Sequence, residues 1–134
     1  MINSSEEFNR LCMSQLEEDV GRSMQDSAAP EIWEEILEKF PQRIIDVAQN
    51  RTIQESIMYA IVGSGNETAK SIIAEKRRLP LELFSVLGRD ASEVVRRKIA
   101  ANQKTPIETL EGLAKDLILD VAQVAQYNLE KRRG

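Results

Sequence analysis

The stretch from Arg97 to Asp116, RKIAANQKTPIETLEGLAKD, restates in kind the stretch from Ser71 to Asp90, SIIAEKRRLPLELFSVLGRD. The two are offset by 26 residues, and residue character matches at fixed positions: Ile99 on Ile73, Ala100 on Ala74, Pro106 on Pro80, Glu108 on Glu82, Leu110 on Phe84, Leu113 on Leu87 and Asp116 on Asp90. A fixed step of this length marks a structural repeat, in which each unit covers the apolar face of its neighbour. Stepping by 26 from Asn128 reaches Asn102, Lys76 and Asn50, and three residues before each stands an apolar residue: Ala125, Ile99, Ile73 and Val47. Pro106, Pro80 and Gln54 share one position, and Pro30 joins them if the first unit is two residues shorter. This places repeats at 30–53, 54–79, 80–105 and 106–134, behind an N-terminal helical cap at 1–29, all within one domain.

Each unit reads as two helices. The helix opening at the proline position carries apolar residues at helical spacing: Ile107, Leu110 and Leu113; Leu83, Phe84 and Leu87; Ile53, Ile57 and Ile61; Ile32, Trp33, Ile36 and Leu37. Thr105-Pro106-Ile107-Glu108 and Thr52-Ile53-Gln54-Glu55 read as capping boxes, and Asn66 and Asp90 as caps of the second helices. Gly63-Ser64-Gly65 falls where the repeat needs a turn. The expected fold is all-α: about nine helices forming a short HEAT-like α-solenoid of stacked pairs with concave and convex faces. A 42% hydrophobic content with only 4% aromatics gives such a stack an aliphatic core.

Several function classes are excluded by composition. The chain has no histidine, which removes histidine acid–base catalysis, histidine metal sites and Ser–His or Cys–His nucleophile pairs. One cysteine, Cys12, makes neither a Cys-rich zinc site nor an internal disulfide, and it reads as a buried, inert thiol. No P-loop or dinucleotide fingerprint is present. No cofactor and no metal are expected, and the chain is read as not an enzyme. No long apolar run suggests a membrane span, the N-terminus lacks a signal-like apolar region, and the expected location is cytoplasmic.

RDASEVVRRKIAANQKTPIETLEGLAKD, Arg89 to Asp116, resembles the HEAT-like leucine-rich-repeat-variant family: an Asp turn, Val-Arg, an Ala-x-Asn helix end, Thr-Pro, then a Leu-rich helix closing on Asp. The likeness runs from Ala29 to Gln126, with Lys76 in place of the Asn, Gln54 in place of the Pro and Ala122 in place of the Arg. The layout, with its short cap, AAPEIWEEILEKFP at Ala28 to Pro41 and three further units, is similar to bacterial immunity proteins encoded beside polymorphic toxins of the contact-dependent inhibition type. That resemblance implies a monomer, or a 1:1 heterodimer with a cognate protein toxin domain that is bound and neutralised without chemistry.

Charge suggests where a partner would sit. Residues 1–67 hold 13 acids and 5 bases, a net of −8, while residues 68–134 hold 9 acids and 13 bases, a net of +4. The acidic half suits a basic partner, and within the resemblance a basic nuclease, approached by electrostatic steering. The candidate acidic face is Glu31, Glu34, Glu35, Glu38 and Asp46, with Tyr59 as an exposed contact; Tyr127 is a second exposed aromatic, and Trp33, aligned with Ile57 and Leu83, reads as core. The alternative is a nucleic-acid-binding face on Lys76, Arg77, Arg78, Arg96 and Arg97. Against it stand the overall net charge of −4 and the lack of aromatics interleaved with these bases. A scaffold or adaptor role is the third reading.

Overall fold

The computed structural model describes residues 1–134 and is all-helical. Its elements are α1 (Ser5–Met13), α2 (Glu17–Gln25), α3 (Pro30–Lys39), a 3-10 turn (Pro41–Arg43), α4 (Ile44–Gln49), α5 (Glu55–Gly63), α6 (Glu67–Ala74), α7 (Leu81–Leu87), α8 (Glu93–Ala101), α9 (Ile107–Leu113) and α10 (Leu119–Arg133). Ten α-helices stand where about nine were expected. None is long and apolar enough to cross a membrane. The chain divides into two compact units, Met1–Ile72 and Ile73–Gly134.

In the first unit α1 packs on α2 and α3, α2 on α4, and α3 on α5. In the second, α10 packs on α8 and α9, and α7 and α9 each pack on α8. The helices named for the proline position bury one stripe in common. Their N-caps are Ala29, Gln54, Pro80 and Pro106. Four residues on, Trp33, Met58, Phe84 and Leu110 are buried, and seven on, Ile36, Ile61, Leu87 and Leu113. This is the i, i+3 stripe by which a short helix meets a core. It also corrects the alignment of the first unit. Pro30 is the first helical residue of α3, not its N-cap, so Trp33 shares its position with Met58 and Phe84 instead of Ile57 and Leu83.

Both expected capping boxes dissolve. Thr105 does not cap α9; its hydroxyl donates to the Ile99 carbonyl at 2.6 Å, inside the protein. Thr52 lies two residues before the N-cap of α5, and its hydroxyl donates to Asn50 Oδ1 at 2.7 Å. In both places a carbonyl or amide oxygen in the preceding turn competes successfully for the hydroxyl. The caps of the second helices fare better. Asn66 Oδ1 accepts from the Ala69 N–H at 2.9 Å. For α8 the cap is Ser92, which accepts from Val95 N–H at 3.4 Å, while Asp90 accepts the Ser92 N–H at 2.9 Å. Gly65 turns the chain at φ +79°, a left-handed conformation open to glycine.

Buried asparagines hold neighbouring segments together. Asn102 Nδ2 donates to the carbonyls of Ala74 and Lys76 at 2.8 and 2.9 Å, and its Oδ1 accepts from Lys104 N–H at 2.9 Å. Asn128 Nδ2 repeats the first two contacts 26 residues later, on Ala100 and Asn102 at 2.9 and 3.0 Å. In the first unit Asn50 Nδ2 donates to Ser23 and Asp26 at 2.9 and 3.0 Å, and its Oδ1 accepts from Thr52 N–H at 2.8 Å. Removing such an amide strands two carbonyls, each at a penalty of about 1–3 kcal/mol when buried. Asn102→Ala is therefore expected to lower unfolding free energy by about 2–4 kcal/mol in urea titration. Asn66→Ala, which loses one part-buried cap bond, should lower it by only about 1 kcal/mol.

Candidate functional site

The acidic face proposed from sequence is centred on α3. Its buried edge, Trp33 and Ile36, fixes which way the rest of the helix points. Trp33 stands edge-on to Phe8 with ring centroids 5.2 Å apart at 82°. That leaves Glu31, Glu34 and Glu38 exposed, and none has an ion-pair or hydrogen-bond partner. Glu35 differs: it is half-buried and bound by Lys39 at 3.0 Å, and Lys39 reaches Glu6 at 3.6 Å as well. Asp46 on α4 is half-buried and faces Arg43 at 3.6 Å, so it serves the interior of the unit. Tyr59 on α5 is 39% exposed and occupies the α5 position equivalent to Glu34 on α3, five residues past the N-cap. Glu31, Glu34, Glu38 and Tyr59 thus remain as an outward group, while ion pairing with Lys39 and Arg43 takes up Glu35 and Asp46.

The basic face fares differently. Arg96 turns inward, with its side chain 17% exposed against 10% for Asp116. Its Nε and Nη2 donate to the two Asp116 oxygens at 2.8 and 3.3 Å, and Nη1 donates to the carbonyls of Asp90 and Ala91 at 2.8 and 3.1 Å. This is the bidentate geometry that guanidinium and carboxylate share. Hydrogen bonding from Arg96 holds the Asp116 carboxyl below the usual carboxylate range, and the same bond raises the guanidinium of Arg96. Arg97 pairs on the surface with Asp120 at 2.7 Å. Lys98, next in the run, pairs with Glu75 at 2.5 Å. Arg77 and Arg78 are exposed, with no intramolecular partner for either side chain.

Sequence reasoning missed a groove between α7 and α9. It encloses about 560 Å³ and is lined in part by Leu81, Gly88, Pro106, Gly112 and Leu113. Leu81 is 75% exposed, and Val86 and Ile107 also face solvent. The signal was available: Leu81 and Ile107 stand at the first helical position of α7 and α9, where the first unit has Pro30 and Glu55. The Cys12 thiol is half-buried, and burial pushes it up to about 12, with a further push from Asp46. The chain matches no family model, no curated protein and no solved structure.

Two measurements check this geometry. Because the folded state depresses Asp116, the Arg96 pair adds stability that is full above the ordinary carboxylate pKa of about 4 and is lost as pH falls through the lower folded value. Wild type should therefore lose melting temperature faster than Asp116→Asn as pH falls below about 4, the gap between the two curves narrowing with acidification. Native protein at mildly alkaline pH should react slowly with a thiol reagent at Cys12 and rapidly once urea unfolds it.

Proposed function

We propose that this chain is a non-catalytic protein-binding module, a short α-solenoid of helix pairs repeating about every 26 residues, whose α3 face receives a basic protein. The observation that carries the reading is the set of exposed, unpartnered carboxylates Glu31, Glu34 and Glu38 in a unit with 13 acids and 6 bases, a net of −7. Arg22, Lys39 and Arg43 of that unit are already in ion pairs. The solenoid reading draws on the N-caps at Gln54, Pro80 and Pro106 and on the asparagine contacts recurring at the same step. An uncompensated acidic surface speeds encounter with a cationic partner. Within the family resemblance, the partner is a cognate bacterial toxin, a basic nuclease by charge, held stoichiometrically in the cytosol.

The test is capture from the native organism's lysate by tagged protein at moderate salt, read by mass spectrometry. One dominant basic protein should be retained by wild type and lost by the Glu31→Lys, Glu34→Lys, Glu38→Lys variant. With that partner purified, the variant should associate more slowly and show a flatter salt dependence of its on-rate. Equal capture by the two proteins would remove the α3 face from the interaction.

A further inference from the structure

The hydrogen bonds that hold the second unit together also align its loops. Asn102 ties the segment after α8 to the carbonyls of Ala74 and Lys76. Arg132, near the end of α10, donates to the carbonyls of Thr105 at 2.5 Å and Asn102 at 3.2 Å, and to that of Gln103. Segments 75–78, 102–105 and 131–133 are thereby laid side by side. Together they carry seven bases, Lys76, Arg77, Arg78, Lys104, Lys131, Arg132 and Arg133, and one acid. That acid, Glu75, is bound by Lys98. A cavity of about 270 Å³ opens on this edge, with Arg77, Lys98, Asn102 and Gln103 in its lining.

We propose that this loop edge binds the phosphate backbone of a nucleic-acid duplex, with Arg77, Arg78 and Lys104 as the phosphate contacts. All three are exposed, and none of their side chains has an intramolecular partner. They differ from the set suggested by sequence, since Arg96 and Arg97 are held by Asp116 and Asp120. The composition of the edge selects the ligand. Protein interfaces have an apolar, aromatic-rich core inside a polar rim. The three segments expose no large apolar residue. A phosphate backbone asks only for cations and amides. Single strands are gripped by stacking their bases on aromatic rings, and these segments contain none. A duplex, with its bases already stacked, has no such need. Net charge of the second unit supports the assignment locally: 12 bases against 9 acids, a net of +3. The inference stands apart from the α3 reading, because it concerns other residues and a ligand of opposite charge.

The experiment is fluorescence anisotropy of a labelled DNA duplex, longer than one helical turn, titrated with the full chain across a series of salt concentrations. Duplex binding should weaken with salt at a slope of about −3 in log K against log salt, for three neutralised phosphates. Arg77→Ala, Arg78→Ala and Lys104→Ala should each reduce that slope by about one. The Arg77→Glu, Arg78→Glu, Lys104→Glu variant should lose binding while keeping the wild-type melting temperature, since its substitutions lie on unpartnered exposed side chains. Lys115→Glu, outside the edge, should bind as wild type does. No duplex binding at low salt, binding that survives the triple reversal, or tighter binding of the single strand would each overturn the proposal.

Discussion

The buried asparagine amide is the interaction on which the rest of this structure depends. A helix leaves its last four carbonyls without partners of its own. Short helices suffer most, because those four are about half of their carbonyls. Here α8 has nine residues and α6 eight. Asn102 supplies two donors to the end of the preceding second helix and one acceptor to its own loop, so a single side chain satisfies three backbone groups. Asn128 repeats the donor half of that arrangement. No other side chain of this length does both tasks: aspartate lacks the donors, and lysine lacks the acceptor. Position 76, which completes the spacing, holds lysine, and the boundary between the two compact units falls close by, after Ile72.

Two kinds of charged residue follow from this framework. One kind completes it. Arg96 binds the Asp116 carboxylate and two carbonyls of the loop at Asp90 and Ala91, and Arg132 reaches three carbonyls of the loop after α8. Such side chains spend most of their donors within the protein and have fewer left for a ligand. The other kind stands on loop tips and outward helix positions, held in place by the framework but taking no part in it. Arg77, Arg78 and Lys104 belong there, as do Glu31, Glu34 and Glu38. What separates the kinds is geometry: a base one helical step from the core is drawn in, and a base at a loop tip is not.

That distinction explains what could be read from sequence. The apolar stripe was legible because burial at fixed helical positions restricts residue type to large aliphatics and aromatics. The special spacing of Asn102 and Asn128 was visible as well, although its cause was not: an asparagine at a helix end is equally consistent with a solvated turn. Arg96, Arg97 and Lys98 are consecutive and chemically alike, yet one is internal, one is a surface pair and one reaches back to Glu75. Nothing local tells them apart, because the deciding partner of each lies some 20 residues away. The capping boxes misled for a related reason. The capping-box motif casts a Thr hydroxyl oxygen as acceptor of a helix N–H, but the same hydroxyl can donate backwards along the chain, and at Thr105 it donates to the carbonyl of Ile99. Pro30 misled through register: it takes the first helical position that proline favours, whereas Pro80 and Pro106 stand one residue earlier, at the N-cap.

The outward charges are therefore free of the demands of folding, and their arrangement needs a separate cause. On α3, Glu34 and Glu38 are one turn apart, a like-charge spacing that destabilises a helix by about 0.2–0.5 kcal/mol. A lysine at either position would relieve the repulsion and could add a favourable pair, as Lys39 does with Glu35 on the same helix. The fold gains nothing from leaving them unpaired. In the second unit Arg77 and Arg78 stand next to one another on a loop tip, again without internal partners. Mixed signs would serve solubility as well as these segregated ones do. Segregation at positions where the framework is indifferent is what the two proposed ligands, a cationic one at α3 and an anionic one at the loop edge, would maintain.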